Sequence, residues 1–248
     1  MEIPLGSLAV AVVLALVYAS GAWLAERGAV ERVWARRRWV SAAAGVSVAY
    51  VFVDVLPELG AQHRTFREAA GEGLLFAEQR IYILALLSFV VLYGLEHIVL
   101  ASRERRREAV AAGVTDPVYW LHLGGFAAYS ALIGYLLVER AGRGPLALLV
   151  YGLAMALHFL VVDHSLREAH GRVYDRGGHW VLAASVLAGY AVAATTPLSE
   201  VVFARLFAVL AGGVVITSLK AELPGEREGR FWPFCLGAVA YAVLLFFT

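Results

Sequence analysis

The sequence predicts an all-helical, polytopic membrane protein, and three observations predict it. Hydrophobic residues make up 60% of the 248 and the mean hydropathy is +0.71, too apolar for an ordinary soluble domain. Mostly apolar stretches of roughly 20 residues recur, each long enough to cross ~30 Å of hydrocarbon. These runs are uniformly apolar and do not alternate, which excludes barrel strands; in lipid the backbone must then satisfy itself as helix.

The first span, 4–25, runs through Ala19-Ser20-Gly21-Ala22, a small-residue stretch like a signal-peptide cleavage site. Glu2 stands where a signal carries positive charge, and an arginine-rich segment follows, so an uncleaved helix is expected. The second span, 39–60, starts behind Arg36-Arg37-Arg38 and ends on Asp54-Val55-Leu56-Pro57-Glu58. Asp54 lies about a turn inside the boundary, where an acid lines a pathway or takes a structural hydrogen bond. The third span, 80–102, closes on Leu95-Glu96-His97-Ile98, and the basic cluster Arg103 to Arg107 behind it anchors the helix at anionic headgroups.

Spans at 117–138 and 144–166 each carry a histidine, His122 and His158. After the latter, Asp163-His164 with Arg167, Glu168 and His170 reads as a solvated helix end. Spans at 178–197 and 199–219 meet at Thr195-Thr196-Pro197-Leu198-Ser199 almost without a loop, and 231–248 completes a count of eight.

These spans place fifteen of the 21 Lys and Arg on one side. By the positive-inside rule that side is cytoplasmic, both termini lie outside, and the cell membrane is the expected location. A net charge of +1 gives no nucleic-acid footprint. Cys235 is the single cysteine, so neither an intrachain disulfide nor a cysteine zinc site is expected.

Glu222-Leu223-Pro224-Gly225-Glu226 follows the seventh span as Asp54-Val55-Leu56-Pro57-Glu58 ends the second. One motif sits at an outer helix end and the other at an inner end. The triplets 1–103 and 178–248 therefore read as inverted repeats enclosing the pair at 117–166, in one domain spanning 1–248. Secondary transporters are often built this way, with the site near the midplane. Asp54, Glu58 and Glu222 are the pathway candidates.

The 3+2+3 layout, the stretch Gly45 to Glu58, Leu95-Glu96-His97-Ile98, and Ala211-Gly212-Gly213 leading to Glu222-Leu223-Pro224 resemble the ZIP family of divalent-metal transporters. The likeness covers nearly the whole chain. It implies eight helices and a metal site from His-Asn-x-x-Asp/Glu-Gly on the fourth and His-Glu-x-Pro-His/Glu on the fifth, since residues four apart share a helix face. Here those ligand positions read His122, Leu123 and Phe126, then His158, Phe159 and Val162. Asp163 lies one residue beyond the last, about 100° further round. The resemblance thus implies a reduced site at His122 and His158, with Asp163 as a further metal candidate and Asp54 or Glu96 as other sources of charge. Zinc, iron or manganese would be substrate and not a resident cofactor. The family's histidine-rich loop has no counterpart in 101–116, which contains no histidine.

The expected function is alternating-access transport of a divalent metal cation. The alternatives are transport of a different small solute, or a non-transporting scaffold or regulatory homologue. An enzyme is not expected, because His158, Asp163, His164 and His170 do not present three metal ligands on one face. Expected partners are the bilayer and the transported metal or solute, with no nucleic acid; a homodimer is compatible. Each histidine also has an ordinary reading as a hydrogen-bonding group between helices. The small residues Gly124-Gly125, Gly152-x-Ala154 and Gly212-Gly213 are expected at close helix contacts.

Overall fold

The computed structural model describes residues 5–26, 37–70, 79–101, 117–196, 199–222 and 231–245. All regular structure among them is helical: α1 (Leu5–Glu26), α2 (Arg37–Tyr50), a π turn (Val51–Val55) running into α3 (Leu56–Ala70), and α4 (Arg80–Ala101). There follow α5 (Pro117–Ala141), α6 (Pro145–His170), a second π turn (Tyr174–Gly178), α7 (His179–Thr195), α8 (Glu200–Glu222) and α9 (Phe231–Leu245).

Among the described residues five segments are long and apolar enough to cross a membrane: Arg80–Val99, Pro117–Ala141, Pro145–His170, Tyr174–Thr195 and Glu200–Ser218. Gly6–Gly21 and Phe231–Leu245 are apolar but shorter. The predicted second span is divided by the π turn, and α3 carries Glu58, Gln62, His63 and Arg64. The outward face of α4 is apolar, with Leu86, Leu87, Val90 and Val91 exposed as a lipid-facing helix requires.

Local chemistry explains the helix boundaries. Pro117 and Pro145 open α5 and α6, where a missing N–H costs nothing. Gly144 bends the hairpin between them at φ 111°, and Gly171 leaves α6 at φ 56° with its N–H bonded to Arg167 O at 2.7 Å. The C-terminal end of α7 is tied to α5 by the Tyr135 hydroxyl, which donates to Thr196 O at 2.8 Å.

The helices pack in two groups. In one, α5 lies along α7, and α1 packs on both α6 and α7. In the other, α9 lies along α2, while α8 packs on α4, α3 and α2. The fourth and fifth predicted spans thus share a group with the first and sixth, drawn from both predicted triplets. Contacts between the groups are sparser and run through α4 with α5, α8 with α5 and α6, and α2 with α6.

Glycine permits the tightest crossings. A Cβ at Gly189 would collide with Ala131 O, at Gly134 with Val186 O, at Gly237 with Ala42 O and at Gly212 with Ala85 O. Gly212 thus behaves as expected, whereas Gly124 has nothing within 4 Å. Within the first group Tyr18 stacks on Phe159 at 4.5 Å between centroids, and its hydroxyl lies 3.2 Å from Ser130 Oγ. Such pairing removes the cost of burying a hydroxyl.

Candidate functional site

Polar side chains gather at three stations where the two groups meet. The first lies beside the α5–α6 hairpin. Asp54, carried by the π turn, receives two hydrogen bonds from Arg140, Nη1 to Oδ1 at 3.2 Å and Nη2 to Oδ2 at 2.8 Å. One turn on, Glu58 receives two from Arg143 at 2.6 and 2.7 Å and one from Gln62 at 2.7 Å. Paired N–H donors in a planar fork match a carboxylate, which makes these strong and directional contacts. The bonds to Glu58 hold the Arg143 guanidinium above its usual range. Arg140 also lies 5.4 Å from the centre of the Tyr151 ring, and Tyr50 and Tyr241 pack alongside.

The second station is midway along α6. His158 is 2% exposed, with Nε2 3.2 Å from the Tyr129 hydroxyl and 3.4 Å from Thr217 Oγ1. Thr217 donates its own hydrogen to Gly213 O at 2.7 Å.

The third station is at the opposite end from the hairpin. His122 is 1% exposed; its Nδ1 lies 2.8 Å from His170 Nε2 and its Nε2 3.2 Å from Glu96 Oε1. With Glu96 ionised, the consistent arrangement has His122 Nε2–H donating to Glu96 and Nδ1 accepting from His170 Nε2–H.

A cavity of about 90 Å³ joins the last two stations, lined by Leu92, Glu96, Phe126, Val162, Ser165, Ile216 and Thr217. Two of these residues, Phe126 and Val162, occupy the positions where the resemblance places metal ligands.

The structure does not assemble the expected metal set. The rings of Phe126 and Tyr129 run between His122 and His158, with successive centroids 5.1, 6.4 and 5.8 Å apart. Asp163 follows His158 by five residues, about 140° round the helix, and faces α1 instead. There it is buried against Gly21, accepting from Arg167 Nη2 at 2.8 Å and from the Tyr174 hydroxyl at 2.6 Å. It is therefore not the solvated helix end the sequence predicts: the second π turn brings Tyr174 back over it, and Arg167 bonds Asp175 as well. Among the described residues no three His, Cys, Asp or Glu form a group that could hold a metal ion. The Glu222 side chain, the Leu223 to Glu226 motif and the 102–116 segment lie outside the described residues.

Asp163→Ala should lower stability by about 2 kcal/mol, the worth of its charge-assisted bonds, in thermal denaturation of the purified protein.

Sequence reading assigns no role to Arg140 and Arg143 and offers Glu96 only as a source of charge for a metal. The available signal was the intramembrane acid itself: Asp54 at that depth demands a partner, and Arg140 is a cation near the end of a predicted span on the same side. Comparison with protein-family models, with curated proteins and with solved structures finds no match for this chain.

Proposed function

We propose that the chain is an integral membrane protein of the secondary-transporter class, with both termini outside the cell membrane. Within that class we read it as ZIP-like, with inverted three-helix repeats, moving a small cationic solute by alternating access. The observation that carries this reading is the cavity between the two helix groups, largely apolar but containing Glu96, with paired arginine–carboxylate contacts bridging the groups at one end.

The packing supports the repeat. Exchanging the first span with the sixth, second with seventh, third with eighth and fourth with fifth maps the α5–α7 contact onto α6–α1. It also maps α2–α9 onto α8–α4. Sparse contact between groups suits sliding or rocking of one against the other. Zinc, iron or manganese as substrate has less support, because His122, His158 and Asp163 belong to three different clusters. A scaffold that has lost its ligands is the second reading, favoured by the apolar Phe126 and Val162 at ligand positions.

The test is uptake into proteoliposomes of Zn²⁺, Mn²⁺ and small ammonium ions, with a bridge across the groups. In a Cys235→Ala background, Glu58→Cys and Arg143→Cys joined by a short bis-maleimide should abolish uptake that the unlinked variant retains. A transporter that works as two moving groups cannot cycle when pinned. Unchanged uptake after complete cross-linking would reject alternating access between these groups, and no uptake of any solute by the native chain would favour the scaffold.

A further inference from the structure

The seam between the two helix groups is held differently at its two ends. At the hairpin end charged groups cross it, Arg140 to Asp54 and Arg143 to Glu58, each contact made by two hydrogen bonds. Beside them the Tyr241 hydroxyl on α9 donates to Val150 O on α6 at 3.2 Å, a further tie from one group to the other. The cavity of about 90 Å³ lies on the same seam beyond this cluster, and none of the four charged residues lines it. Val162 in its wall is about 16 Å further along α6 than Tyr151 in the cluster.

Cohesion at the hairpin end is opposed by what the same contacts bury. Tyr50 and Tyr151 are 2% and 3% exposed, and among the described residues neither hydroxyl meets a hydrogen-bonding partner. The space that these two side chains line with Asp54 and Arg140 is about 20 Å³, room for about one water. Parting the groups there would bring bulk water to both hydroxyls, which then gain hydrogen bonds. It would also rehydrate the Asp54–Arg140 pair, whose desolvation already offsets much of its attraction. The contact is thus held shut by ion pairing and pulled open by hydration, and a modest change in either shifts the balance.

We propose that the Asp54–Arg140 and Glu58–Arg143 pairs, with Tyr50 and Tyr151 beneath them, are a gate that closes the hairpin end of the seam over the cavity, and that the structure is the state with this gate shut. The proposal rests on the transporter reading for what passes the gate, and on termini outside for making it the outer gate. Opening can be measured apart from flux.

The test is the rate at which a membrane-impermeant maleimide reaches Val162→Cys from the hairpin face, using the full chain with Cys235→Ala in sided vesicles. Gly142→Cys, exposed in the hairpin, identifies the vesicle orientation that presents that face. Labelling at Val162→Cys should be slow with the gate intact. Asp54→Asn combined with Arg140→Gln should speed it at least tenfold, and Glu58→Gln combined with Arg143→Gln severalfold. Tyr50→Phe combined with Tyr151→Phe should act the other way and slow it at least threefold, because a phenyl ring gains nothing from water. That reversal separates a gate from a structural brace, since loosening the fold can only speed labelling, and it keeps the test decisive if a charge variant fails to fold. Leu14→Cys, buried within the first group, should stay unlabelled throughout. The proposal is overturned if the folded charge variants leave the hairpin-face rate unchanged, if the tyrosine substitutions fail to slow it, or if Leu14→Cys becomes labelled alongside Val162→Cys. Faster labelling in the charge variants, with no uptake of any solute by the native chain, would keep the gate and sink the transporter reading. Uptake by the native chain with labelling indifferent to every substitution would do the reverse.

Discussion

Arg140→Ala should destabilise the protein by about 3 kcal/mol, within the range for stripping one partner from a buried ion pair. The Arg140 and Asp54 side chains are only 10% and 18% exposed, so solvent cannot replace the lost guanidinium. The effect is expected to be asymmetric. Asp54→Leu combined with Arg140→Met should recover most of the loss, because a buried pair replaced by apolar groups of similar size is often neutral. Equilibrium unfolding in mixed detergent, followed by tryptophan fluorescence, measures both variants. If the double variant loses as much as the sum of its singles, the pair is not a unit and its part in joining the helix groups is wrong. Glu58 and Arg143 make a useful comparison, since Arg143 is 38% exposed; screening by solvent makes that pair a smaller contributor.

Gly189→Ala is expected to cost about 3 kcal/mol, at the upper end for overpacking, because backbone must move to admit the new atom. Its Cβ would meet the carbonyl oxygen of Ala131, so relief requires parting α5 from α7 along their closest contact. A flexible side chain could swing aside, but a carbonyl in a helix cannot. Gly124→Ala is the internal control. It adds the same methyl in the neighbouring helix, meets nothing within 4 Å, and should be neutral or gain up to about 1 kcal/mol from helix propensity. Thermal denaturation of the two variants in one detergent decides the matter. Equal losses would mean that the α5–α7 crossing is looser than described.

These contrasts mark where the sequence is informative. Long apolar runs such as Pro145–His170 need only composition to be recognised, and Gly144-Pro145 announces the helix start in the chain itself. The second span was the hard case, since an irregular turn inside a helix leaves no compositional mark. Burial of His122 and His158 was legible from their setting in apolar helices, but their partners were not. Glu96, His170, Tyr129 and Thr217 lie 26, 48, 29 and 59 residues away in sequence from the histidines they meet. Spacing within one helix cannot report such contacts. Asp163 misled for the same reason: five positions after a histidine says which way it points only once the partner helices are placed, and Gly21 and Tyr174 decide its surroundings.

The π turn at Val51–Val55 has a consequence for how this helix can vary. Eight residues of regular helix separate two positions by about 80° of rotation, and the one extra residue of a π turn takes back about 100°, returning the later position to within about 20° of the first. Tyr50 and Glu58 are related in this way, with Asp54 between them. The turn acts as a phase correction that aligns all three toward Arg140 and Arg143 along a single rod. At its present length a wholly regular helix would turn Glu58 about 80° away from Tyr50, whereas a regular helix one residue shorter would return it to within about 20°, so the π turn lets this segment carry an extra residue without changing what the second span presents to its partners.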